Sequence, residues 1–61
     1  TLFGFIHRLR MEYACVLLRE TSQTITEIAF TTGYQHAQHF STAFKKFYGV
    51  SPSEWSRIGK N

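Results

Sequence analysis

The sequence is poor in the residues that cross-link a chain, stiffen its turns or give it negative charge. It has one cysteine, one proline and four acidic residues among 61. The single cysteine, Cys15, cannot form an internal disulfide, so we expect a reducing compartment and a cytoplasmic protein. No apolar run approaches membrane-spanning length, and no signal-peptide pattern opens the chain. These absences argue against a disulfide-stabilised secreted domain and against a membrane as partner.

The acidic residues are also unevenly placed. None occurs between Glu27 and Glu54, although this stretch contains Lys45, Lys46 and two histidines. A surface helix usually mixes acids with its lysines to form local ion pairs. An acid-free face suits a polyanion, and the net charge of +3 with a pI near 9.4 agrees with such a partner. The alternative is a solvated face that lacks acids by chance.

The residues that are abundant can form a small apolar core. Apolar residues make up 43% of the chain and aromatic residues 16%, which argues against disorder. Apolar positions recur at helical spacing and no segment alternates with period two, so the predicted fold class is all-α. We divide the chain into a long connecting helix over residues 1–20 and a helix-turn-helix subdomain with a closing helix over residues 24–61.

The long helix carries more apolar surface than one small partner surface needs. Thr1 is its predicted N-cap. The main stripe consists of Leu2, Ile6, Leu9, Tyr13, Val16 and Leu17, and a second set consists of Phe3, Ala14 and Leu18. Only about two short helices remain to cover this surface, so we expect part of it to mark an association site. The residues expected to be poorly covered within the chain are Leu2, Phe3, Phe5 and Ile6.

Local signals in the middle of the chain predict a helix, a glycine turn and a second helix. Thr24 and Glu27 have the spacing of a capping box. Gly33 is expected to end this first helix with a positive φ, and Tyr34 to follow as an apolar plug. The second helix is expected over about residues 36–48. This order is typical of a DNA-binding helix-turn-helix with homeodomain-like three-helix packing.

The second helix has an apolar side and a polar side. We interpret the apolar side as core rather than as a surface that stacks on single-stranded bases. It consists of Phe40, Ala43, Phe44 and Phe47. The polar side consists of Gln38, Ser41, Thr42 and Lys45. Phe30 in the preceding helix lies off the apolar face, so we expect it to be only partly covered.

The last segment is predicted to form a short closing helix. Gly49 is expected to end the helix before it. Ser51 and Glu54 have capping-box spacing around a proline, which suits the first helical turn. In the closing helix, the residues expected to turn inward are Trp55 and Ile58, and those expected to face solvent are Arg57 and Lys60.

No residues have the pattern of a catalytic or metal site. His36 and His39 are three apart on a helix, but no third ligand is nearby, so we expect no metal. We expect His36 to cap its helix and His7 to lie on the surface. Cys15 has no activating histidine nearby in sequence and is interpreted as a structural thiol. The sequence therefore predicts no enzyme, no catalytic residue and no cofactor.

Several motifs together resemble the C-terminal half of the AraC/XylS DNA-binding domain. They are Ile-x-Glu-Ile-Ala, Gly-Tyr, Phe-(x)3-Phe-Lys-Lys and Gly-x-Ser-Pro-Ser. The matching positions are Ile25, Glu27, Ile28, Ala29, Gly33, Tyr34, Phe40, Phe44, Lys45, Lys46, Gly49, Ser51, Pro52 and Ser53, with Arg10, Ala14, Leu17 and Leu18 in the long helix. The sequence departs from the family pattern at Gln35-His36, where Ser-Asp is common. It also has Ser56 after Trp55, where an arginine is usual.

The resemblance implies a function and a set of partners. Family domains carry two helix-turn-helix units joined by a long helix, so this chain would hold the connecting helix and the second unit. The implied function is sequence-specific binding of double-stranded DNA as part of a bacterial transcription regulator. Besides DNA, the implied partners are the missing first helix-turn-helix unit, an effector or dimerisation domain, and RNA polymerase.

The predicted site lies on the second helix of the motif, because its first turns reach base edges in the major groove. The predicted base contacts are Ala37, Gln38, Ser41 and Thr42, and the resemblance points to the same positions. The predicted phosphate contacts are His39, Lys45, Lys46 and Arg57. The alternative function is a helical protein-interaction or dimerisation module that docks through Phe3, Phe5 and Ile6.

Overall fold

The computed structural model describes residues 1–59. Four helices follow one another along the chain: α1 (Leu2–Glu20), α2 (Ile25–Thr31), α3 (Ala37–Tyr48) and α4 (Pro52–Gly59). No strand occurs in the described residues, and the fold is all-α as predicted. Lys60 and the end of the predicted subdomain at residue 61 lie outside the described residues. No helix within residues 1–59 is long and apolar enough to span a membrane.

Side-chain caps start three of the four helices. The Gly4 amide donates to Thr1 Oγ1 at 3.1 Å at the start of α1. At the start of α2, the Glu27 amide donates to Thr24 Oγ1 at 3.1 Å and the Thr24 amide donates to Glu27 Oε1 at 2.7 Å. A second reciprocal box joins Ser51 and Glu54 at 3.2 and 3.3 Å. The capping predictions for these three helices are confirmed, because these signals depend only on residues three apart in sequence.

The turn between α2 and α3 closes on Gly33, whose φ is +97°. The Gly33 amide donates to the Phe30 carbonyl at 3.1 Å, and the Tyr34 amide donates to the Ala29 carbonyl at 2.9 Å. These two bonds are those of a Schellman motif, which satisfies the last carbonyls of α2. Thr32 is buried at this end, and its hydroxyl donates to the Ile28 carbonyl at 2.9 Å. The backbone therefore leaves α2 in a fixed direction before α3 begins.

The core lies where the three short helices pack on the C-terminal half of α1. Its buried residues are Met11, Ala14, Leu17, Leu18, Ile28, Ala29, Phe40 and Phe44. Phe44 stands at the centre of an aromatic group, with ring centroids 4.7 Å from Tyr48, 5.8 Å from Phe40 and 6.3 Å from Trp55. Burial of Phe40 and Phe44 turns the opposite side of α3 outward.

The inward face of α1 is not the main apolar stripe of its sequence. Within the main stripe only Leu17 is buried, and the inward side is instead formed with Met11, Ala14 and Leu18. Both sets have helical spacing, so periodicity alone could not decide between them. The buried residues of α1 begin at Met11 and lie on another side of the helix from most of the stripe, whose exposed members are Leu2, Ile6, Leu9, Tyr13 and Val16.

Two predictions of inward-facing residues are wrong. Ile58 is 63% exposed and Phe47 is 41% exposed. In contrast, the predicted exposure of the start of α1 is confirmed, since Leu2, Phe3, Phe5 and Ile6 range from 40% to 78% exposed. Phe30 is exposed, in agreement with its expected partial cover.

Candidate nucleic-acid interface

The outer side of α3 is held in place from behind by its aromatic residues. Tyr34, in the turn, contacts Phe40 edge-on with ring centroids 5.7 Å apart. The Gly49 amide closes the other end of α3 by donating to the Lys45 carbonyl at 2.7 Å, with a φ of +85° at Gly49. Both ends and one side of α3 are therefore fixed, and its polar side chains have a defined direction.

The exposed residues of this outer side are Gln38, His39, Thr42, Lys45 and Lys46. Gln38, Thr42 and Lys45 are spaced four and three residues apart, so they form one row along the helix. Ser41 is half-buried at the edge of this row. Ala37 is half-buried and packs against the core, so it offers less surface than the row does. The structure thus brings Gln38, Thr42 and Ser41 to one surface and leaves Ala37 at its margin.

Positive charge collects at the C-terminal end of this row. The pKa of the Glu54 carboxyl is lowered first by hydrogen bonds from Ser51, and then by the charges of Lys45 and Arg57. Lys45 of α3 and Arg57 of α4 therefore both act electrostatically on Glu54. Lys46 and His39 lie on the neighbouring flank of α3 and are exposed.

The N-terminal end of α3 differs from the other helix starts, because no side chain caps it. His36 occupies the N-cap position with φ of −132° but makes no side-chain cap hydrogen bond. The prediction that His36 caps the helix is therefore wrong for its side chain, whose ring instead meets that of His39 edge-on at 5.0 Å. The first turn also contains no acid. Uncapped amides and the positive end of the helix dipole favour an anion at this position.

The described residues contain no group of three or more His, Cys, Asp or Glu side chains that could hold a metal. Cys15 is half-buried, and burial raises the pKa of its thiol. Burial also raises the pKa of the neighbouring Tyr48 hydroxyl, which lies on the core side of α3. Protonated, half-buried groups of this kind contribute to packing rather than to nucleophilic chemistry.

One feature of the surface was missed by the sequence analysis. An open depression of about 220 Å³ is lined by His7, Ala43, Lys46 and Phe47. His7 is half-buried and not a plain surface residue, since its ring meets that of Phe47 edge-on at 5.6 Å. The depression joins residues of α1 and α3 that are far apart in sequence, so no local pattern could predict it.

A capped short helix, a Schellman turn and a second helix with an acid-free outer side together define a helix-turn-helix domain. A family model for the helix-turn-helix domain of AraC/XylS type matches residues 1–58. The chain therefore belongs to the AraC/XylS helix-turn-helix family. This membership assigns it to a family of regulators rather than of enzymes.

Individual relatives agree with this assignment. The chain is 34% identical over 56 residues to the HTH-type transcriptional regulator MtrA of Neisseria gonorrhoeae, covering 92% of the chain and 19% of MtrA. It is 42% identical over 50 residues to the transcriptional activator RhaS of Escherichia fergusonii, covering 82% of the chain and 18% of RhaS. The chain thus spans about a fifth of the length of these curated relatives.

A solved structure has the same fold as this chain. The C-terminal domain of AraT, a response regulator from Geobacillus stearothermophilus, matches 95% of the chain with a TM-score of 0.91 and 43% identity. The match covers 48% of the AraT chain. A second match, to the C-terminal domain of the response regulator yesN from Fusobacterium nucleatum, has a TM-score of 0.84 and covers 52% of that chain.

Proposed function

We propose that this chain binds double-stranded DNA sequence-specifically by placing α3 in the major groove, as part of a bacterial transcription regulator. The observation that carries the proposal is the exposed row of Gln38, Thr42 and Lys45 on a helix without acids. The buried Phe40 and Phe44 fix this row outward. An α-helix fits the major groove, where each base pair presents a distinct set of donors, acceptors and methyl groups.

The base contacts follow from the chemistry and position of four side chains. Gln38, in the first turn of α3, can form two hydrogen bonds with adenine. Ser41 and Thr42 can donate or accept one turn further along. The methyl groups of Ala37 and Thr42 can contact the methyl group of thymine. Because Gln38 and Thr42 are the most exposed of the four, they would carry most of the sequence preference.

The phosphate contacts surround this central row. Lys45 lies at the C-terminal end of the row, Arg57 lies on α4, and His39 and Lys46 occupy the adjacent flank of α3. All four are exposed. The uncapped N-terminus of α3 offers backbone amides to a further phosphate oxygen. Contacts of this kind supply affinity without sequence information, and they release counterions, so binding should weaken steeply as salt is raised.

A first helix-turn-helix unit would cover the apolar start of α1. Leu2 and Phe3 are 75% and 78% exposed, and a contiguous apolar patch of this kind marks an association site. The matched structure of the AraT C-terminal domain contains about as much chain again outside the match. With two units, a regulator could occupy successive major grooves and bind more tightly than with this unit alone. An effector or dimerisation domain and a contact with RNA polymerase stay predictions.

The test compares two variants in the intact protein, Gln38→Ala and Lys45→Ala. Gln38→Ala should cost ~1–3 kcal/mol on the preferred site and relax the preference at one base pair. Lys45→Ala should weaken binding to all sequences alike and lower the salt slope by about one. Both are titrated against a selected site and its single-base variants at several salt concentrations.

The variants Gln38→Ala and Lys45→Ala serve as controls for each other. If Gln38→Ala leaves affinity and preference untouched, α3 does not contact base edges. Equal losses on every sequence for both variants would indicate a general polyanion binder. The competing interpretation, a protein-interaction module docking through Phe3, Phe5 and Ile6, predicts no salt-dependent retention on a DNA column.

A further inference from the structure

We propose that the DNA-binding surface continues from α3 onto the N-terminal half of α1, where His7 and Lys46 hold one backbone phosphate between them. This inference rests on the proposed function and extends it to a residue of the long helix. The phosphate would belong to a DNA strand that borders the groove occupied by α3.

The geometry comes from the depression of about 220 Å³ between the two helices. Its walls carry two nitrogen-bearing side chains, His7 from α1 and Lys46 from α3, and its floor includes Ala43 and Phe47. His7 is held in place by the edge-on contact of its ring with Phe47, at 5.6 Å between centroids. Lys46 follows Lys45 on α3, so the depression borders one flank of the proposed DNA-binding surface.

Basic residues prevail in the parts of α1 and α3 that line the depression. No acid occurs in α1 before Glu12, and this half of the helix carries His7, Arg8 and Arg10. No acid occurs anywhere in α3. The guanidinium of Arg10 lies over the turn before α3, with Cζ 3.5 Å from the position that a Cβ on Gly33 would take. The acid-free surface of α3 therefore has an acid-free neighbour on α1, which suits a polyanion.

The side chains also match the chemistry of a sugar-phosphate backbone. An imidazole N–H and a lysine ammonium can both donate hydrogen bonds to phosphate oxygens. The apolar surface of Phe47 and Ala43 can contact the deoxyribose that adjoins the phosphate. This arrangement accounts for Phe47, an aromatic residue that is 41% exposed on the same helix as two fully buried phenylalanines.

The experiment changes the charge at His7 in the intact protein and measures binding to two duplexes of equal length. One duplex is selected from a random-sequence library and the other is unrelated. His7→Lys should raise the salt slope by about one, and His7→Glu should weaken binding to both duplexes roughly tenfold at low salt. His7→Gln, which keeps an N–H donor, should lose less than His7→Glu. Thermal unfolding of each variant checks that the domain remains folded.

Val16→Lys and Val16→Glu are the matched controls, because Val16 is exposed on the opposite side of α1 by helical spacing. They make equivalent charge changes and should alter affinity less than twofold. Equal effects at His7 and Val16, or an unchanged salt slope for His7→Lys, would overturn the proposal. If Lys45→Ala still lowers the slope, only the extension to α1 fails. If Lys45→Ala and Gln38→Ala also leave DNA binding unchanged, the DNA-binding assignment itself fails.

Discussion

Gly33 shows how one residue sets the direction of α3. Its φ of +97° lies in the region that side chains other than glycine rarely adopt. A Cβ at this position would lie 3.5 Å from the Arg10 guanidinium, which is an ordinary contact distance. The need for glycine therefore comes from the backbone conformation and not from lack of space. The Schellman hydrogen bonds at this turn depend on that conformation.

We predict that Gly33→Val destabilises the domain by ~1–3 kcal/mol, because a β-branched side chain at positive φ is strained. That is a large part of the stability of so small a domain. The measurement is the free energy of unfolding in urea. Gly4→Ala is the comparison, since Gly4 is helical and its new Cβ would have to displace only Thr1 Oγ1, at 3.3 Å. Equal stabilities for Gly33→Val and the parent would contradict the role of the turn.

At the scale of elements, helix boundaries could be predicted from the sequence because their signals are local. Each signal involves residues only a few positions apart. The signals are the two capping boxes, Thr24 with Glu27 and Ser51 with Glu54, and the two helix-ending glycines, Gly33 and Gly49. The outward face of α3 could also be predicted, since Phe40 and Phe44 alternate with polar residues at helical spacing. These predictions needed no knowledge of which helices touch.

The inward face of α1 could not be predicted in the same way. Met11 is fully buried although neither apolar set included it, whereas Tyr13 and Val16 belong to the main stripe and are exposed. Either apolar set on α1 could face the core, and the angles at which the other helices cross α1 determine which set is buried. The inward prediction for Ile58 was wrong for the same reason, since the short α4 buries Pro52 and packs Trp55 against the core. The contact of His7 with Phe47 likewise depends on tertiary packing.

The uncapped start of α3 gives a prediction at this scale. His36→Ser and His36→Asp should each stabilise the domain by ~0.5–2 kcal/mol, because either side chain can accept a hydrogen bond from the amides of the first turn. His36→Ala should bring no gain, since it supplies no acceptor. Melting temperatures of the three variants provide the measurement. A Ser variant that melts no higher than the Ala variant would show that these amides are already satisfied.

At the scale of the whole molecule, two surfaces of different character meet at α1. The polar side of α3 and the His7 depression are formed by residues among which there is no acid. The start of α1 forms an apolar surface that begins at Leu2 and Phe3. Charge at the first surface favours a polyanion, and the apolar area of the second favours a protein surface. Under the proposed function, the long helix would connect the DNA-binding surface to the surface that contacts a neighbouring unit.

The last prediction tests whether that apolar surface is covered in the intact protein. In the 61-residue chain, Phe3→Ser should change the free energy of unfolding by less than about 0.5 kcal/mol, because Phe3 is 78% exposed. Met11→Ala should cost ~2–5 kcal/mol, since Met11 is fully buried. In the intact protein, Phe3→Ser should become costly, by ~3–5 kcal/mol, if a neighbouring unit buries the ring. Met11→Ala is the control, because it removes the same core contacts in both contexts. A Phe3→Ser variant that is harmless in both would show that the start of α1 stays in solvent, and that this chain contacts its neighbours through another surface.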